Sequence, residues 1–175
     1  MRQVSDGFLL NMAEVSAALV GLFLVGIFFY LETGFRRLDR DRELVVPYIR
    51  AGARIVLILF SFPLILSLTL VVLELTWSRV LFAVLSVILL AANIDSVVRV
   101  RGVTRVIGSP AFLLTEVVGT AAVVVIVLLP WILGGIDPTR EDLTWSILVS
   151  FATGFLSICA TVMSAFDLSR FEATG

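Results

Sequence analysis

IVLILFSFPLILSLTLVVL, residues 55–73, runs for nineteen positions without a charged side chain. As a helix rising 1.5 Å per residue it covers about 28 Å, close to the ~30 Å hydrocarbon core of a bilayer. Taken as 54–76, it reads as a membrane-spanning helix, and four more stretches read the same way, near 7–31, 79–97, 110–134 and 143–166. The predicted fold is therefore all-α: a polytopic helical membrane bundle of five transmembrane helices forming a single membrane domain over 1–175, with a charged connection at 32–50. The third span is the weakest. Its uncharged part covers only 80–94 and needs Arg79 to snorkel at one end and Asp95 and Arg99 at the other, so a four-span chain with a re-entrant piece is the alternative.

Composition supports a membrane protein. Hydrophobic residues make up 59% of the chain and charged residues 15%, with a mean hydropathy of +1.09, whereas soluble domains carry about 25% charged residues. The first apolar run exceeds the roughly 7–15 residues of a signal-peptide core and follows Asp6 as well as Arg2, so it is expected to remain as a helix. Cys159 is the sole cysteine and histidine is absent, which excludes a disulfide framework within one chain, imidazole-ligated haem and most zinc sites. No metal site and no cofactor are expected. Lysine is absent as well; without these bases, a GxSxG elbow or a GxGD motif, the sequence does not read as an enzyme. With a net charge of −1 and no basic stripe, nucleic acid is excluded as a partner.

Arginines 36, 37, 40, 42, 50, 54, 99, 101, 105 and 170 fall on one side of the predicted spans, and only Arg2, Arg79 and Arg140 on the other. Positive-inside bias then places the amino terminus outside and the carboxyl terminus in the cytoplasm, as expected for a multi-pass protein of a prokaryotic cytoplasmic (inner) membrane. In RRLDRDRE, residues 36–43, opposite charges three or four apart suggest a salt-bridged helical stalk ended by Pro47. Ser109–Pro110 opens the fourth span, Gly134–Gly135 closes it, and a Thr139–Asp142 capping box starts the fifth. Trp77, Trp131 and Trp145 lie near outer span ends, as an interfacial aromatic belt requires.

Two carboxylates lie inside apolar runs, Glu14 in NMAEVSAALVG and Glu116 in LLTEVVGTAAVV. A charged group in hydrocarbon costs roughly 2.5–3.5 kcal/mol on insertion scales, so such residues usually face protein or a wet cavity and mark ion paths. A static partner is the bland alternative, with Arg79 in reach of Glu14 and Arg54 in reach of Glu116. Asp95 is expected to pair with Arg99, four residues on. AEVSAAL and TEVVGTA look alike and would run oppositely, as in an inverted repeat; FSFPLILS and FATGFLS, from the second and fifth spans, match poorly, which weighs against duplication. AEVSAALVG also resembles the A-E-V-x-G-T signature of the first helix of small multidrug-resistance exporters, in which the glutamate exchanges protons for cationic drug. Glu14 takes the glutamate's place, but Ala17 stands where glycine is expected, and the match reads as convergence rather than membership.

Ser146, Ser150, Thr153, Ser157, Thr161 and Ser164 recur at three or four residues and share one face of the fifth span. Such a stripe packs helices through small residues and cross-helix hydrogen bonds, or it lines a hydrated path. Pro63 removes a donor and exposes the carbonyl of Leu59, predicting a kink that neighbours repair or that gates. Glu74, Asp137, Glu141 and Asp142 make an acidic outer mouth that would concentrate cations. Ala13, Ala17 and Gly21 offer a helix-contact surface for a homo-oligomer. The expected function is a small homo-oligomeric channel or transporter for cations, protons among them, with Glu14 and Glu116 as sites and the hydroxyls as lining. The alternative is a non-catalytic scaffold or partner subunit in which the same residues only pack.

Overall fold

In the computed structural model the backbone is described for residues 4–34, 42–107 and 110–172, and side chains for 4–29, 53–98 and 117–159. Five helices account for nearly all of it: α1 (Asp6–Gly34), α2 (Arg42–Val72), α3 (Leu75–Ile107), α4 (Pro110–Gly134) and α5 (Arg140–Glu172). Each contains a segment long and apolar enough to cross a membrane: Asp6–Phe29, Ala53–Val72, Leu75–Val98, Val117–Gly134 and Arg140–Cys159. The weak third segment is one continuous helix of 33 residues, with no re-entrant break. Helices outrun the apolar stretches because backbone hydrogen bonding continues beyond the depth at which charges become costly. Pro47 lies inside α2 instead of ending a stalk. A proline removes one donor and favours a bend, but flanking turns can keep the helix running. The stalk pairs among residues 36–41 lie outside the described residues.

Two tight turns set the topology. Only Leu73 and Glu74 separate α2 from α3, and the turn closes through Leu73 N–H on the Thr69 carbonyl (2.8 Å) and the Ser78 hydroxyl on the same carbonyl (3.2 Å). The α4–α5 turn begins at Gly135, whose φ of 64° is the left-handed conformation that ends helices at low cost for glycine. The expected capping box follows: Asp142 Oδ2 accepts from Thr139 N–H at 2.8 Å, and Thr139 Oγ1 accepts from Asp142 N–H at 3.4 Å. Both turns lie at one end of the bundle, here named the turn end.

Helix α2 packs on α1, α3 and α5, while α4 packs on α5 and α3, so α2 to α5 close a four-helix ring and α1 leans on α2 from outside. Leu59, Phe62 and Leu66 of α2, Phe82 and Leu89 of α3, Val123 and Ile126 of α4, and Leu143 and Ile147 of α5 fill the interior. Only 11% of the apolar window of α1 is buried, against 44% in α2. That contrast makes α1 a peripheral helix with one face inward and one face open. Trp77, Trp131 and Trp145 are all exposed toward the turn end, as an interfacial belt requires.

Candidate functional site

Two prolines interrupt the helices of the ring. Pro63 in α2 and Pro130 in α4 are buried, and each lacks the N–H that would bond the carbonyl four residues earlier, Leu59 and Ile126 respectively. In hydrocarbon an unsatisfied backbone carbonyl costs several kcal/mol. Helix α5 supplies both missing donors: the Ser150 hydroxyl bonds the Leu59 carbonyl at 2.8 Å, and the Ser146 hydroxyl bonds the Ile126 carbonyl at 2.7 Å. Both serines are fully buried. Their spacing of four residues points them to one side of α5, and the helix is held between the two interrupted neighbours.

Of the rest of the stripe, Thr153 is put to local use. Thr153 is buried and donates to the Val149 carbonyl of its own helix at 2.7 Å, while Ser157 is also engaged. The side chains of Thr161 and Ser164 lie outside the described residues. Gly154, one residue beyond Thr153, lets α5 approach α2 closely: a Cβ there would stand 3.1 Å from Cε1 and Cζ of Phe60. Small residues and cross-helix hydroxyl bonds thus act together on α5, the combination by which membrane helices pack without a hydrophobic driving force.

At the turn end the acids expected to form a mouth are partly committed to holding the loops. Arg79 pairs with Asp137 at 2.9 Å and donates through Nε to the Pro138 carbonyl at 2.9 Å, which fastens the start of α3 to the α4–α5 turn. Arg140 pairs with Asp6 and fastens α5 to α1. Asp142 is occupied by Thr139, while Glu74 and Glu141 have no ion-pair partner among the described residues. Among the described residues no three acids converge as they would around a metal ion. An open hollow of about 600 Å³ lies beside Leu133, Gly134, Arg140 and Glu141.

The static partner considered for Glu14 is engaged elsewhere, while a pairing of Arg54 with Glu116 falls outside the described residues. Arg79 is bound to Asp137, and Arg54 of α2 pairs with Asp95 of α3. Arg54 and Asp95 stand nearly equidistant from the Leu73–Glu74 turn, so antiparallel register alone brings them level, a signal that charge matching to the glutamates overlooked. Arg99, the partner proposed for Asp95 along its own helix, lies outside the described side chains. The same equidistance relates Ile126 and Ser146 across the α4–α5 turn, and would have exposed the second proline repair.

Glu14 is exposed on the open face of α1. It is the ninth residue of a 24-residue apolar span, within the middle third, where a charged group is most costly. Gly7, Leu10, Asn11, Ala17, Ala18 and Gly21 surround it and are exposed too. Ala13 does not belong to this surface; it is 3% exposed and turned into the protein, whereas Ala17 and Gly21 remain open. The helical phase explains the split, because residue 13 is rotated about 100° from residue 14. Glu116 is the seventh residue of α4, and its side chain lies outside the described residues. Comparison with protein-family models, curated proteins and solved structures finds no match to this chain.

Proposed function

We propose that this chain is a non-catalytic membrane scaffold or partner subunit that works through lateral contacts of α1. The observation that carries the reading is the commitment of Ser146 and Ser150 to the carbonyls freed by Pro130 and Pro63. Two hydroxyls of the most regular polar pattern in the chain thereby hold helices together, and both are fully buried. Pro63, braced in this way, fits a fixed kink better than a gate. The arginine asymmetry of the sequence supports residence in a prokaryotic cytoplasmic membrane with the amino terminus outside.

A second reading rests on Glu14 alone. A carboxyl at membrane depth, exposed and without an ion-pair partner among the described residues, is suited to take up and release a cation, and a homo-oligomer would bring several such groups to one path. Ion flux into liposomes separates the two readings. The scaffold gives no H+, Na+, K+ or Ca2+ flux under an imposed potential; flux abolished by Glu14→Gln or Glu116→Gln, with folding intact, replaces it with the cation pathway.

A further inference from the structure

We infer that the open face of α1 is a self-complementary contact whose occupant is a second copy of this chain, with Asn11 of each copy bonded to Glu14 of the other. The inference rests on the assembly role proposed above and names its partner. Gly7, Asn11, Ala18 and Gly21 each lie within about 60° of the direction of Glu14 on an ideal helix, and all five are exposed. Nothing stands within 4 Å of a Cβ built on Gly7 or Gly21, so the surface is open on both sides of the carboxyl. Lipid is the occupant that a mid-membrane carboxyl disfavours most.

The choice of a second copy follows from what the face carries. Asn11 offers two N–H donors and Glu14 offers acceptor oxygens, three residues apart along the helix. Copies inserted in the same orientation and related by a two-fold axis normal to the membrane present the same patch to each other at the same depth, so Asn11 of each copy lies about 4.5 Å along the axis from Glu14 of the other, a step that the two side chains can span. No basic group from an unlike chain is needed, and the described arginines, Arg54, Arg79 and Arg140, are already paired within the subunit. Glycine and alanine on either side of the polar pair permit the close backbone approach that short cross-helix hydrogen bonds require.

Single-molecule photobleaching of the labelled wild-type protein in lipid vesicles, at dilute protein-to-lipid ratios, reads the oligomeric state directly. Two-step bleaching is expected. In a Cys159→Ser background, Ala18→Cys should give an oxidised covalent dimer, whereas Val87→Cys on the exposed side of α3 should not. Asn11→Leu removes both cross-copy bonds and should weaken association about tenfold, and Gly21→Leu should abolish it. Single-step bleaching of the wild type overturns the inference even where flux is absent and the scaffold role stands with an unlike partner. Equal cross-linking at Ala18→Cys and Val87→Cys overturns it as well. A wild-type dimer that conducts through Glu14 upholds the contact and overturns the scaffold role instead.

Discussion

Ser150→Ala removes the donor that replaces the backbone bond lost at Pro63, and the size of the resulting loss depends on what residue 63 is. The Ser150 hydroxyl and the Leu59 carbonyl lie 2.8 Å apart, between residues that are 0% and 1% exposed. In soluble proteins, stranding a buried acceptor costs about 1–3 kcal/mol. Cross-helix bonds in membranes measure lower, about 0.6 kcal/mol on average and about 1.7 at most, because the separated helices find other partners in the bilayer. Leu59 has no helical donor to fall back on, so the upper part of that range applies, about 1–1.5 kcal/mol. In a Pro63→Ala background the N–H of residue 63 returns to the Leu59 carbonyl, and Ser150→Ala should then cost about 0.5 kcal/mol or less. Pro63 is itself buried and its replacement disturbs packing, but a double-mutant cycle cancels that contribution. The assay is unfolding free energy from steric trapping or detergent titration in bicelles. The expected coupling of Ser150 with Pro63 is about 0.5–1 kcal/mol, and Ser146 should couple with Pro130 in the same way but not with Pro63. Equal losses for Ser150→Ala in both backgrounds would refute the repair argument.

The remaining predictions concern close approaches and the clamps at the turn end. Gly154→Ala forces its Cβ against a Phe60 ring that is 0% exposed and set edge-on to Phe151 at 5.9 Å; a destabilisation of about 1–3 kcal/mol is expected, relieved in part by Phe60→Leu in the same unfolding assay. Gly134→Ala would drive a Cβ into Asp142 Oδ2 and break the capping box, so its loss should resemble that of Asp142→Ala, about 1 kcal/mol, with little further loss in the double variant. Arg79→Ala should lower global stability by less than about 1 kcal/mol, since Asp137 is 80% exposed, yet hydrogen exchange at residues 136–139 should rise, and salt should produce the same local change in the wild type.

The five long apolar helices were legible because bilayer thickness decides how long an apolar run must be to cross it, and each apolar stretch became a helix of at least that length. Their ends were less so. Hydropathy registers only the hydrocarbon depth, and gave no sign that α2 begins at Arg42 or that α3 continues to Ile107. The freed carbonyl of Leu59 could be named from Pro63, but its donor could not, because that depends on which helix lies alongside. The stripe on α5 was visible as a stripe; its role at Ser146 and Ser150 came from the two prolines that it faces. The open side of α1 was half legible: Ala17 and Gly21 stay exposed, while Ala13, grouped with them by residue type, turns inward by helical phase. The pairing of Arg54 with Asp95 was not foreseen because the lone intramembrane acids were the groups in evident need of a partner, whereas in the protein the two-residue α2–α3 turn brings Arg54 level with Asp95, and Arg79 turns to Asp137 of the α4–α5 turn.

The two proline repairs bear on how the chain is made. Both interrupted helices, α2 and α4, precede α5 in the sequence, so synthesis delivers them to the bilayer before their hydroxyl donors exist. Until α5 enters, each holds a bare carbonyl in an apolar setting, open to stray water or to the insertion machinery. Arrival of α5 closes both defects through residues one turn apart, and this couples its insertion to the locking of the ring. A chain stopped before Ser146 should therefore be a ready substrate for membrane quality control, with its spans inserted and its fold unlocked.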